Sequence, residues 1–105
     1  MPLVFKRLLY AGDIFEGEIQ GFFVQAHVFS EPSSYGITEG QISRLMVYQN
    51  QQKEFGNNLA NFNRGWDGSP PEDTKIRAVI EAAVRQFDDK AVDWRFEASR
   101  KNESY

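Results

Sequence analysis

"IFEGEIQGFFVQAHVF", residues 14–29, decides the fold because it holds two strand-like runs joined by a minimal turn. Gln20 and Gly21 separate the runs, and glycine accepts the positive φ that a two-residue hairpin turn requires. The pairing sets Ile19 opposite Phe22. The face predicted to lie in the core carries Phe15, Ile19, Phe22, Val24, Ala26 and Val28. The other face is mixed and carries Ile14, Glu16, Glu18, Phe23, Gln25, His27 and Phe29.

Further strands are predicted on both sides of this hairpin. Residues 42–49 and 58–63 have strand character, and residues 3–10 fit either a strand or a helical turn. Residues 30–41 are rich in Pro, Ser and Gly and predict a loop, and residues 50–57 predict a polar turn.

One amphipathic helix is predicted after the strands. Ser69 is the predicted N-cap, Pro70 the first helical residue, and Glu72 lies three positions after the serine. The helix is predicted to end near Asp88 or Asp89. Its apolar stripe is Ile76, Val79, Ile80, Ala83, Val84 and Phe87.

After the helix, Val92, Trp94 and Phe96 alternate with charged residues, which predicts a final strand. The predicted fold class is therefore α+β, with an antiparallel sheet of about four to six strands and one long helix packed on one face. Residues 1–98 are predicted to form a single domain, and residues 99–105 a polar C-terminal tail.

The sheet face opposite the helix raises the question of a partner. Phe23, Phe29, Met46 and Tyr48 are predicted to point toward it, and monomers rarely leave a large apolar patch in water. The chain's own ends or loops cover this face under one hypothesis. Under the other, a homodimer or a partner protein does.

Composition excludes several functional classes. The chain has 105 residues and no cysteine, so disulfides, thiolate zinc sites and cysteine nucleophiles are absent. Its 12 basic and 15 acidic residues are mixed, with no basic block of the kind that binds a phosphate backbone, so nucleic acid is an unfavoured partner. Neither a signal peptide nor a membrane-spanning segment is predicted, and the expected location is the cytoplasm.

Residues 62–68, "FNRGWDG", carry the strongest site signal. Trp and Arg are frequent interface hot spots, so Arg64, Trp66 and Asp67 are candidates for a recognition surface. The same residues suit a strand-to-helix corner, in which Gly65 permits a turn, Trp66 packs beneath it and Asp67 binds backbone N–H groups. The corner is the favoured interpretation, with a site as a second role.

Tyr35, in the loop 30–41, is a candidate for an aromatic ring that faces a ligand. A phosphate-binding loop would open a helix, whereas a strand follows this loop, so a nucleotide site is rejected. The residues predicted to contact another protein are Arg64, Trp66, Asp67, Tyr35, Phe23 and Tyr48.

His27 is the single histidine and the natural candidate for a catalytic base. Catalysis would require a nucleophile or a supporting carboxylate beside it, and none of the serines lies in a recognised nucleophile motif. A partly exposed surface imidazole is therefore predicted. No catalytic residue, metal site or cofactor is expected, and the protein is predicted not to be an enzyme.

Two segments carry a family resemblance. "YGITEGQISRL" fits the pattern YGI-x-x-G-x-I-S-x-L, and "NFNRGWD" fits N-x-x-R-G-W-D. The matching positions are Tyr35, Gly36, Ile37, Gly40, Ile42, Ser43, Leu45, Asn61, Arg64, Gly65, Trp66 and Asp67. Over residues 14–87 the chain resembles a family of small uncharacterised bacterial and bacteriophage proteins. The resemblance implies the fold and a phage or mobile-element setting, and it supplies no mechanism.

The leading functional hypothesis is a non-enzymatic protein-interaction domain of phage or prophage origin. A phage-encoded inhibitor of a host defence nuclease or another host enzyme is the alternative. A single-stranded nucleic-acid binder that uses aromatic residues of the sheet ranks lower.

Overall fold

The computed structural model describes residues 3–9, 12–49, 58–67 and 69–99. Within these ranges, five strands form one antiparallel sheet in sequential order: β1 Leu3–Leu9, β2 Gly12–Ile19, β3 Phe22–Val28, β4 Ile42–Tyr48 and β5 Asn58–Asn63. Two helices follow in the described chain, α1 Thr74–Asp88 and α2 Trp94–Ser99. The predicted α+β fold is confirmed. The predicted polar turn at 50–57 and residues 100–105 of the predicted tail lie outside the described residues.

The hairpin forms as its sequence predicts. Ile19 pairs with Phe22, and Phe15 pairs with Ala26. Gln20 and Gly21 take φ angles of 52° and 88°, which match the right-handed twist of the flanking strands. The ambiguous N-terminal segment is the strand β1, antiparallel to β2.

The core lies between this sheet and α1. The apolar stripe of α1 is buried at Ile76, Val79, Ile80, Ala83 and Val84. Phe87 continues the stripe, and its ring lies 4.8 Å from that of Phe15 on β2. The helix ends at Asp88, and Asp89 takes the left-handed conformation of a C-terminal cap, so the predicted end is confirmed.

The predicted N-cap at Ser69 is wrong. Ser69 is exposed, and the Asp73 side chain caps α1 by accepting from the backbone N–H groups of Lys75 and Ile76 at 2.7 and 3.2 Å. The cause is Pro71, because the residue before a proline is disfavoured in helical conformation. Pro70 is that residue, so the helix begins beyond the proline pair.

Replacing Asp73 by alanine should therefore lower the free energy of unfolding by about 1 kcal/mol, since two N–H groups of α1 lose their acceptor. Ser69→Ala should change it by less than about 0.5 kcal/mol, as an exposed substitution does. Urea unfolding of both variants measures the difference. Equal effects would contradict the assignment of the cap.

The predicted final strand is also wrong, because residues 94–99 form α2. Asp93 caps this helix, and its carboxylate accepts from the Phe96 N–H at 3.0 Å. A helix brings Trp94 and Glu97, three residues apart, to the same side. Alternation over so few residues does not distinguish a strand from a short helix, and here contacts with the rest of the fold decide.

The outer face is the sheet face opposite α1. Phe23 and Met46 lie on it but are only 7% and 6% exposed, and Ile14 is buried as well. Phe29 and Tyr48 are half-buried. Among the described residues, the apolar side chains named for this face are therefore buried or half-buried in the single chain.

Candidate functional site

The segment after β5 reverses tightly and places Arg64 at its apex. Phe62 forms a bridge with Trp66, while the Asn63 N–H donates to the Gly65 carbonyl at 2.8 Å. The Arg64 N–H donates to the Ser43 carbonyl of β4 at 3.1 Å, which fastens the apex to the sheet. Arg64 is exposed and has a φ of 62°. Residues 62–67 of the predicted corner therefore form a short reversal held by backbone hydrogen bonds, and Gly68 lies outside the described residues.

Trp66 points inward from this reversal and is only 2% exposed. Its ring packs edge-on against Phe62, with centroids 5.0 Å apart. Its indole N–H donates to Glu97 Oε1 at 2.9 Å. Trp66 therefore stabilises the corner from beneath and presents almost no surface to a partner.

Glu97 is the buried centre of the contacts that hold the corner, with 1% exposure. Besides the Trp66 indole, it accepts from both the backbone N–H and the hydroxyl of Thr38. One carboxylate thus joins α2, the loop before β4 and the reversal after β5. These charge-assisted hydrogen bonds are the stronger kind, and three donors satisfy a group whose burial would otherwise be unfavourable.

The second tryptophan extends this cluster toward α1. The Trp94 ring lies 6.1 Å from that of Trp66, and its indole N–H donates to Glu81. The Arg77 guanidinium lies 4.6 Å from the Trp94 ring centroid. The reversal is consequently braced by both helices.

The loop 30–41 is held from the other side by the end of α1. Asp88 Oδ1 accepts from the Gln41 N–H at 2.9 Å, and a Cβ on Gly40 would lie 2.2 Å from Asp88 Oδ2. Only glycine permits this close approach. The contact joins the end of α1 to Gly40 and Gln41, the last residues of the loop that carries Tyr35.

The structure separates the predicted contact residues into three groups. Tyr35 is exposed, and the Arg64 guanidinium lies 5.3 Å from its ring centroid, so these two residues form one surface. Asp67 is exposed in a separate cleft beside Trp66. Phe23 and Tyr48 pair on the outer face, with centroids 6.3 Å apart.

A cleft of about 200 Å³ opens beside Arg64, where β2 and β4 begin and β3 and β5 end. Its lining is Gly12, Asp13, His27, Val28, Phe29, Ser43, Arg44, Asn63 and Arg64. Of these described residues, two are arginines and one is an aspartate. We call it the arginine cleft. It is distant from the Phe23–Tyr48 pair, because the four residue steps from Arg44 to Tyr48 span about 13 Å of strand.

His27 is half-buried in the arginine cleft, opposite Arg44 on the neighbouring strand. Its carbonyl accepts from the Ser43 hydroxyl at 3.3 Å. Across the described ranges, no group of three His, Cys, Asp or Glu side chains is placed to hold a metal ion. None of the helices described there is both long and apolar enough to cross a membrane.

Sequence reasoning missed Glu97 and Arg44. The alternating pattern assigns Glu97 to the charged side of a predicted strand, although Asp93 in the N-cap position is a local signal for a helix. Arg44 belongs to the site through the pairing of β3 with β4 across a long loop, which local sequence patterns do not specify.

The comparisons with known proteins place the chain in a family without adding an activity. Neither a curated protein nor a solved structure matches it. One family model, described as a domain of unknown function, covers residues 13–88 and so includes both Tyr35 and Arg64. This range agrees with the 14–87 over which the resemblance to an uncharacterised family was found. The chain therefore belongs to the family DUF7678, a domain of unknown function.

Proposed function

We propose that this chain is a small non-enzymatic protein-interaction domain that contacts its partner through Arg64, Tyr35 and the adjoining arginine cleft. The observation that carries the proposal is an exposed arginine in a left-handed backbone conformation at the apex of a braced reversal. A cytoplasmic location and a phage or prophage origin are part of the proposal, and the origin comes from the resemblance of the YGI and RGWD segments.

The backbone of Arg64 supports a role for its side chain. A residue other than glycine costs about 1 kcal/mol in the left-handed region, and asparagine tolerates it better than arginine does. An exposed cation–π contact with the Tyr35 ring stabilises the chain by about 0.5–1 kcal/mol, which roughly offsets that cost. A left-handed backbone at a residue other than glycine is a feature that clusters at binding sites, and it supports recognition by the Arg64 guanidinium.

Several observations favour this end of the sheet over the Phe23–Tyr48 end of the outer face. Phe23 and Met46 are buried in the single chain, so a homodimer through that face would gain little apolar burial. Tyr35 is 44% exposed and Arg64 is exposed, so both are accessible to a partner. The site combines an aromatic ring with a guanidinium, a pairing common in protein interfaces.

The test is site-specific photo-cross-linking in the cells that naturally produce the protein, with benzoylphenylalanine at position 35. We expect a discrete protein adduct that weakens when Arg64→Asn is also introduced. The matched control carries the same cross-linker at Lys75, an exposed position on α1. An equal adduct from position 75, or an adduct insensitive to Arg64→Asn, would contradict the proposal. If the adduct is a host enzyme, its activity with and without the protein tests the inhibitor hypothesis.

A further inference from the structure

We propose that the arginine cleft is a subsite for one carboxylate group, supplied by an acidic side chain or by the C-terminus of the partner protein. This inference rests on the proposed function and names the chemistry that the partner presents.

A β-bulge builds the cleft. Val28 pairs with Ile42 and His27 pairs with Arg44, which leaves Ser43 as an extra residue on β4. Bulges re-aim side chains and are frequent beside functional sites. Here the bulge leaves Ser43 buried and Arg44 exposed, and the Ser43 carbonyl accepts from the Arg64 N–H.

Strand pairing then brings the second cation near the first. Arg44 pairs with Asn63 on β5, the residue directly before Arg64. Both arginines line the same cleft, one from the sheet and one from the apex of the reversal. Guanidinium groups recognise carboxylates through two parallel N–H···O bonds, and the Asn63 amide adds a further polar group to the lining.

The charge of the cleft favours a single negative charge. Among its described lining residues, Arg44 and Arg64 contribute two positive charges and Asp13 one negative charge, and a neutral His27 leaves a formal sum of +1. A carboxylate balances that sum. A phosphoryl group with close to two negative charges exceeds it and also faces repulsion from Asp13.

The size of the cleft also favours a single carboxylate group. About 200 Å³ is smaller than the roughly 300–1,000 Å³ of pockets that enclose whole small molecules. It suits the head of one side chain or a chain terminus, with the rest of the partner lying over Tyr35 and the surrounding surface.

The test is an NMR titration of the ¹⁵N-labelled chain that follows the Arg Nε–H signals and the backbone amides of Ser43 and Asn63. The probes are a capped Gly-Gly-Glu-Gly-Gly peptide, its Gln counterpart, a pentaglycine with a free C-terminus, and inorganic phosphate. We expect saturable shifts from the Glu peptide or the free C-terminus and none from the Gln peptide. Which of these two carboxylate probes binds more tightly identifies the source of the carboxylate.

Arg44→Gln and Arg64→Asn should each raise the Kd of the bound peptide by at least about tenfold, which corresponds to about 1.4 kcal/mol. Arg85→Gln removes the same charge from an exposed position on α1 and should leave the Kd unchanged. Amide spectra that match wild type outside the cleft verify that each variant is folded.

Absence of saturable shifts with both carboxylate probes would overturn the carboxylate subsite, and so would tighter binding of phosphate. If an Arg64-dependent cross-link from position 35 is nevertheless observed, the proposal of an interaction domain stands and only the carboxylate subsite is rejected. Carboxylate binding without such a cross-link instead supports the subsite and removes the proposed function.

Discussion

Glu97→Ala should lower the free energy of unfolding by about 3 kcal/mol or more. The substitution removes the acceptor of three hydrogen bonds, from the Trp66 indole and from the backbone and hydroxyl groups of Thr38. The Trp66 indole is buried and the Thr38 groups are part-buried, and a buried donor left without an acceptor costs about 1–3 kcal/mol. The effect should appear as a lower urea midpoint with an unchanged slope.

Two controls sharpen this prediction. Glu31→Ala removes a carboxylate from an exposed loop position and should change stability by less than about 0.5 kcal/mol. Glu97→Gln keeps the shape of the side chain but replaces one acceptor oxygen with a donor. Its loss of unfolding free energy should therefore lie between the losses of Glu97→Ala and Glu31→Ala. If Glu97→Ala is no more destabilising than Glu31→Ala, Glu97 does not hold the three segments together.

Ile80→Ala should lower the free energy of unfolding by about 2–5 kcal/mol. Ile80 is fully buried on the face of α1 that packs against the sheet, and its truncation leaves a cavity that the surrounding side chains fill only partly. Thermal and urea unfolding provide independent measurements of the loss.

The helix itself supplies the comparison for Ile80. Ile80→Val removes one methylene group and should cost about 0.5–1.5 kcal/mol, so the two variants form a graded series. Arg85→Ala, on the exposed side of α1, should stay within about 0.5 kcal/mol of wild type. Equal effects of Ile80→Ala and Arg85→Ala would contradict the packing of α1.

These two residues differ in how far the sequence revealed them. The position of Ile80 in the core follows from the 3.6-residue period of its stripe, which is a property of the local sequence. Glu97 gave no such signal, since a charged residue within an alternating run predicts an exposed position. Its partner Thr38 lies 59 residues earlier in the chain.

Some residues of the candidate site were predictable from the sequence and others were not. Arg64 and Tyr35 were identified from residue type, and the structure brings them into contact. The burial of Trp66 follows from the favoured interpretation of a corner, whereas Phe23 was assigned to the mixed face, where an aromatic residue suits a core and an interface equally well. Arg44 and Asp13 entered the arginine cleft through the pairing of strands.

Local sequence patterns were enough to predict the hairpin at Gln20-Gly21, the core face of its strands and the apolar face of α1. In each case the deciding interactions join residues that are close along the chain, so turn chemistry and periodicity were sufficient. Contacts across the fold established that residues 94–99 form a helix, that Glu97 holds the corner, and that two arginines share a cleft. Those outcomes depend on contacts between segments separated by tens of residues, and local propensity carries no information about which distant segments will meet.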